Sequence, residues 1–186
     1  VGAIKTLVGE GVVPPELDAA ARARAVAALE RTAGTSAERG AVNAAVNLYI
    51  ALDDPAQAYA VAEAALPGAK TPYYHMADLA ALDEEMGKTD SAIAWLERAY
   101  RESQGPATRF QWGTNYVRGL IRMRPDDDEA VRDATLAVLG ELDGPDRIYR
   151  RSRARLESLD EDLRAWNAAG THTAAIVAIR DPMAAI

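Results

Sequence analysis

Cysteine is absent from all 186 residues, phenylalanine occurs once and histidine twice. Without a thiol the chain can build no disulfide, no thiolate zinc site, no cysteine nucleophile and no Cys-x-x-Cys redox pair. That absence does not identify a compartment. No apolar run approaches the ~18 residues that a spanning helix needs, which excludes a membrane-embedded protein. Neither G-x-G-x-x-G nor G-x-x-x-x-G-K-[ST] occurs, so phosphate-cradling loops are missing, and no G-x-S-x-G elbow or Ser-His spacing points to a serine nucleophile. A net charge of −7 argues against a nucleic-acid partner, whose phosphates require a concentrated basic surface. Neither a start methionine nor a basic-then-apolar leader is in view at Val1, and the expectation is of a piece of a longer chain.

What is present is an alanine-rich polymer, 49% hydrophobic and 26% charged, of a length that suits one self-folding domain over 1–186. Apolar residues recur at three- and four-residue spacing and strand-like alternation is missing, so the periodicity predicts an all-α chain. Proline, which lacks an amide donor and clashes inside a helix, marks the boundaries. Pro14-Pro15 opens a helix over about 17–32 that stops at Gly34, and Ser36 is expected to cap a second over about 37–52 carrying Val42, Val46, Tyr49 and Ile50. Asp54 caps a third, with Pro55 in its first turn, running to Leu66. Thr71-Pro72 repeats that cap for a helix ending at Met86-Gly87, and Thr89 or Asp90 caps the next, whose buried stripe is Ala92, Ile93, Leu96, Ala99 and Tyr100. Gly105-Pro106 precedes a sixth helix with Phe110, Val117, Leu120 and Ile121. The run Asp126–Glu129 then places four carboxylates at the positive end of a seventh, with Val131, Val138, Leu139 and Leu142. A long helix after Pro145 presents Tyr149, Leu156, Leu159, Leu163 and Trp166, and Pro182 is expected to end helical structure in the terminal segment.

Helix pairs repeat. Ala58 and Ala92, Ala65 and Ala99, and the turn residues Asp53 and Gly87 all lie 34 residues apart. A 34-residue helix-turn-helix period with small residues at fixed points resembles the tetratricopeptide repeat, TPR. In the copy over 73–104, Leu79-Ala80 fall at the family's Leu-Gly pair, Gly87 at its turn, and Ala92, Leu96 and Ala99 at its Ala, Phe and Ala positions; Asp83 stands where an aromatic is usual. A preceding copy offers Ala45-Val46, Tyr49, Ala58, Ala62 and Ala65, and a following one Val117, Ala130, Ala134 and Ala137. The resemblance implies a right-handed superhelix of antiparallel helix pairs: an N-terminal segment over 1–34, three degenerate repeats over 35–142 and capping helices over 143–186.

A second likeness rests on YYHMADLAALDEEMGKTDSAIAWLERAY followed by FQWGTNYVRGLIRM. These runs resemble the helical C-terminal region of bacterial thioredoxin-fold proteins, often called putative thiol-disulfide isomerases. That resemblance implies a redox domain upstream of Val1, and an exported parent makes the periplasm the expected compartment.

Little chemistry is on offer. His75 and Asp78, three apart, can meet on one helix face, either as an acid-base or metal pair or as a histidine at a helix contact beside a solvated aspartate. His172 is expected at a helix cap. The stripe Arg147, Arg150, Arg151, Arg153 and Arg155 suits an anion or, given flanking Asp146, Glu157, Asp160, Glu161 and Asp162, pairing on a solvated face. No catalytic, cofactor-binding or metal-ligating residue is assigned.

Binding is the better-supported activity. By the family's pattern the first helices of the pairs line a concave wall, with Asn43, Asn47, Tyr74, Ala77, Ala81, Trp112 and Asn115 facing outward as a peptide groove. Asn43 stands where carboxylate-clamping members carry Lys, and Asp78 where they carry Asn, which argues against recognition of a C-terminal carboxylate. The expected function is a non-catalytic module that binds a protein, a peptide or a neighbouring domain. The alternative is an accessory domain of a thioredoxin-like oxidoreductase.

Overall fold

Three helices begin with proline at their first position, where a missing N–H costs nothing: α1 (Pro15–Thr32), α3 (Pro55–Ala64) and α6 (Pro106–Met123). The other helices are α2 (Glu38–Ala51), α4 (Tyr73–Glu85), α5 (Thr89–Glu102), α7 (Asp128–Leu139), α8 (Arg150–Trp166) and α9 (Thr173–Ala184), with a 3₁₀ turn at Gly140–Leu142. This computed structural model describes residues 13–142 and 150–186, with only the backbone of Arg150 and Arg151, and contains no strand among them. Arg147 and Tyr149, named above, lie outside the described residues. No described helix is long and apolar enough to cross a membrane.

Between helices the chain reverses through left-handed backbone at Gly34, Gly87, Gly105 and Gly170, and also at Asp53, φ +58°. Asp53 and Gly87, one 34-residue period apart, thus make the same unusual turn, at φ +58° and +72°.

The caps depart from expectation in several places. Ser36 does not cap α2: the Ala37 N–H donates to Thr35 Oγ1 at 3.2 Å and the Gly34 N–H to Glu38 Oε2 at 3.0 Å. Thr71 makes no side-chain cap, because the helix starts one residue later than expected and Pro72, which has no side-chain acceptor, occupies the capping position of α4. Neither Thr89 nor Asp90 caps α5; Asp90 instead accepts a 2.6 Å bond from Arg124 at the end of α6. Asp54 and Asp127 do cap, each accepting at 3.1 Å from the N–H three residues on. Helix α3 stops at Ala64 rather than Leu66. Pro182 sits inside α9 without ending it, since at the last turn it removes one amide donor while the Ala185 N–H still reaches Asp181 O at 3.2 Å.

The described chain forms two compact units, divided between Met86 and Gly87. In the first, α1 packs on α2, α2 on α3 and α3 on α4. Small residues permit that closeness: Ala58 and Ala62 of α3 have no exposed surface, and Val42, Val46 and Tyr49 of α2 are buried.

In the second unit α6 is the hub, touching α5, α7 and α8, while α9 lies on α7. Its stripe explains the role: Phe110, Val117 and Leu120 are nearly inaccessible, each worth about 1.5–3 kcal/mol of burial. Two glycines set how near its neighbours come. A Cβ on Gly113 would lie 2.4 Å from Val138 Cγ2 of α7, and one on Gly119 2.3 Å from Leu96 Cδ1 of α5. Ala92, Ile93, Leu96, Ala99 and Tyr100 are all buried, as the helical period of α5 predicts.

His172 makes no side-chain cap at the start of α9. Its ring stacks on Trp166, its Nδ1–H donates to Asp128 Oδ1 at 2.6 Å, and Trp166 Nε1–H donates to the Pro125 carbonyl at 2.7 Å. The α8–α9 turn is thereby tied to the chain entering α7.

Candidate functional site: a groove between α2 and α4

Helix α2 exposes Asn43 and Asn47 alongside the apolar stripe of Val42, Ala45, Val46 and Tyr49, which enters the first unit's core. Helix α4 does the same with Met76, Leu79 and Ala80 buried and Ala81 and Glu85 outward. The two helices run side by side in the same direction. At their starts the Arg39 guanidinium lies over the Tyr74 ring, 4.7 Å from its centroid, and towards their ends Ile50 and Glu85 line one common cavity. With α3 packed on both, the space between α2 and α4 remains open as a groove of about 210 Å³.

Its lining is apolar on the walls and rich in hydrogen-bond acceptors. Val46, Ile50 and Leu82 supply aliphatic surface; Asn43, Asn47, Asp78 and Glu85 supply polar groups, and no lysine or arginine lines it. The Asn47 Nδ2 amide donates one hydrogen to the Asn43 carbonyl at 2.9 Å, which leaves its second N–H and its Oδ1 outside that bond. Asp78 Oδ2 is buried and has no hydrogen-bond partner among the described residues, nor has the His75 Nδ1 atom 3.9 Å away. That separation is too long for a hydrogen bond. His75 is itself buried, so it stands beneath the groove rather than in it.

Asn43, Asn47 and Ala81 are therefore brought together. Tyr74, 36% exposed, stands one helical turn before Asp78 and does not line the cavity, its ring 5.2 Å from that of Tyr73. Ala77 is half-buried and does not line the cavity. Trp112 and Asn115 belong to α6 in the second unit; Asn115 is half-buried and Trp112, at 4% exposure, presents no ring to solvent. Ile50, assigned to the apolar face of α2, is 40% exposed and lines the groove. Asp78 and Glu85 were not among the expected groove residues. The 34-residue period points one position short of each, from Asn43 to Ala77 and from Ile50 to Glu84, so the repeat alone does not single them out.

Elsewhere, several charged residues are engaged in structure. Arg118 donates to Asp162 Oδ2 at 2.6 Å and to Ser158 Oγ at 2.8 Å, joining α6 to α8. Arg155 of the basic stripe is half-buried, and burial and Arg118 lower its pKa. Tyr100 donates to Glu141 Oε1 at 2.9 Å; Arg109 Nε donates to the same oxygen at 2.9 Å and its guanidinium lies over the Tyr100 ring. No group of three His, Asp or Glu residues is close enough to hold a metal ion among the described residues. No family model matches the chain, and no curated protein or solved structure matches it.

Proposed function

We propose that this chain is a non-catalytic, TPR-like superhelical module whose α2–α4 groove binds an extended peptide segment of a partner protein. The observation that carries the reading is the groove itself: two parallel helices, an aliphatic wall, and outward Asn43 and Asn47 between which a peptide backbone finds donors and acceptors. Its volume of about 210 Å³ is below the ~300–1,000 Å³ of sites for drug-sized molecules, and fits one side chain of a longer ligand that continues along the helices. The repeat register agrees with a TPR-like build: Ala58, Ala92 and Ala99 have no exposed surface, and the turns at Asp53 and Gly87 share a left-handed backbone.

A phage-displayed peptide library panned on the purified chain tests this. A selected peptide titrated into isotope-labelled protein is expected to shift the amide resonances of Asn43, Asn47 and Ala81. Failure to enrich any peptide, or shifts confined to α8 and α9, would contradict the reading.

A further inference from the structure

We infer that the α2–α4 groove recognises a cationic side chain, arginine or lysine, within the bound segment. This inference rests on the peptide-binding reading above and names the chemistry of the residue that enters. Asp78 and Glu85 put two carboxylates on one side of the groove, and neither has an ammonium or guanidinium partner among the described residues. Asp78 keeps one oxygen, Oδ2, under the groove 3.9 Å from His75 Nδ1, while its side chain, 35% exposed, lines the cavity. A charged donor entering the groove makes charge-assisted hydrogen bonds to carboxylates that have no cationic side chain beside them. Across the groove Asn47, with one amide hydrogen given to the Asn43 carbonyl, offers its oxygen.

The one arginine on α2 or α4 is Arg39, and it is held over Tyr74 at the helix starts, so it does not neutralise the carboxylates further along. The walls suit the rest of such a side chain. Val46 and Ile50 give aliphatic surface on which an arginine or lysine stem can lie while its head reaches the acceptors. A glutamate or aspartate in the same place would face two like charges with no compensating donors but two asparagines. Preference for a cation over an anion is therefore built into the lining.

The test uses the full chain and short capped Gly-Ser peptides carrying one central arginine, lysine, norleucine or glutamate, followed by resonance shifts up to millimolar peptide. The arginine and lysine peptides are expected to shift Asn47, Asp78 and Ala81 and to bind at least about tenfold more tightly than the norleucine peptide, the size of one charge-assisted hydrogen bond. Asp78→Asn should remove most of that preference. Glu85→Lys, at an exposed position where folding is not at stake, should turn it towards the glutamate peptide. Raising the salt concentration should shrink the preference. Equal binding of all four peptides in the groove, or an arginine preference unchanged by Glu85→Lys, would overturn the cation reading and leave peptide binding standing. No shift in the groove with any of these peptides, or with a library-selected one, would overturn both.

Discussion

The imidazole of His172 lies flat on the indole of Trp166, ring centroids 4.1 Å apart and planes within 10°. Stacking alone would leave both polar edges to find partners, and each does so on the segment leading into α7: Trp166 at the Pro125 carbonyl, His172 at Asp128. Asp128 lies in the first turn of α7, where a carboxylate is already favoured by the helix dipole. One residue pair thus fixes the α8–α9 turn to the rest of the second unit.

Replacing Trp166 with alanine removes the stack and the Pro125 bond together. The expected cost is about 1–3 kcal/mol, read as a fall in thermal midpoint of several degrees. His172→Ala should cost less, since Trp166 keeps its carbonyl. An unchanged midpoint in Trp166→Ala would show that the turn is held by other contacts.

Glycines in helices should differ in sign on replacement by alanine. Gly40 of α2 has open space around its Cβ position, so Gly40→Ala should stabilise by about 0.5–1 kcal/mol through helix propensity. At Gly113 the new methyl meets the stiff, fully buried Val138, and Gly113→Ala should destabilise by about 1–3 kcal/mol despite the same propensity gain. Gly119→Ala should fall between, because it meets the end of the longer Leu96 side chain. Ala92→Leu, at a position with no exposed surface, should also cost about 1–3 kcal/mol. Chemical denaturation of the four variants checks this order.

Alkaline stability should report Tyr100. Burial first, and then its bond to Glu141, push its phenol up from 10.0 to about 12. The neutral form is the one favoured by the fold, so its stabilisation is fully present below pH 10.0 and lost as pH rises towards 12. Tyr100→Phe should lose about 1 kcal/mol at neutral pH and flatten the decline over that window. A wild-type decline of equal steepness in Tyr100→Phe would assign the transition to another group.

Acid should act on the first unit through Asp54. The Arg22 guanidinium bonded at 2.5 Å, and then the Gln57 N–H, hold its carboxyl below the usual 3.8. A depressed carboxyl contributes stability that is present above the unfolded value and lost as pH falls through the folded one, so this contribution fades only below 3.8. Asp54→Ala should cost about 0.5–2 kcal/mol at neutral pH, the range for a lost helix cap. The comparison is by thermal unfolding of both proteins at neutral and acid pH.

Local rules made much of this fold legible. Proline and glycine punctuation placed the helices to within a few residues, and the 3.6-residue period identified all five buried residues of α5. Side-chain caps were less legible because tertiary partners compete for the same groups: Asp90 goes to Arg124, and His172 to Asp128 and Trp166. In the groove, Asn43, Asn47 and Ala81 follow from outward positions on single helices. Asp78 and Glu85 required knowing that α2 and α4 lie side by side, a relation between helices that periodicity within one helix does not contain. Trp112 illustrates the converse, since a ring rich in contact area serves equally well as packing and here is buried.

The seat proposed for the peptide is the space between α2 and α4. A library-selected peptide carrying a nitroxide at one end, added to isotope-labelled chain, tests it most directly through paramagnetic broadening. The groove predicts that amides of Asn43, Asn47, Ala81 and Glu85 broaden while those of α8 and α9 stay sharp. Broadening over α8 and α9 with the α2–α4 amides untouched would contradict it.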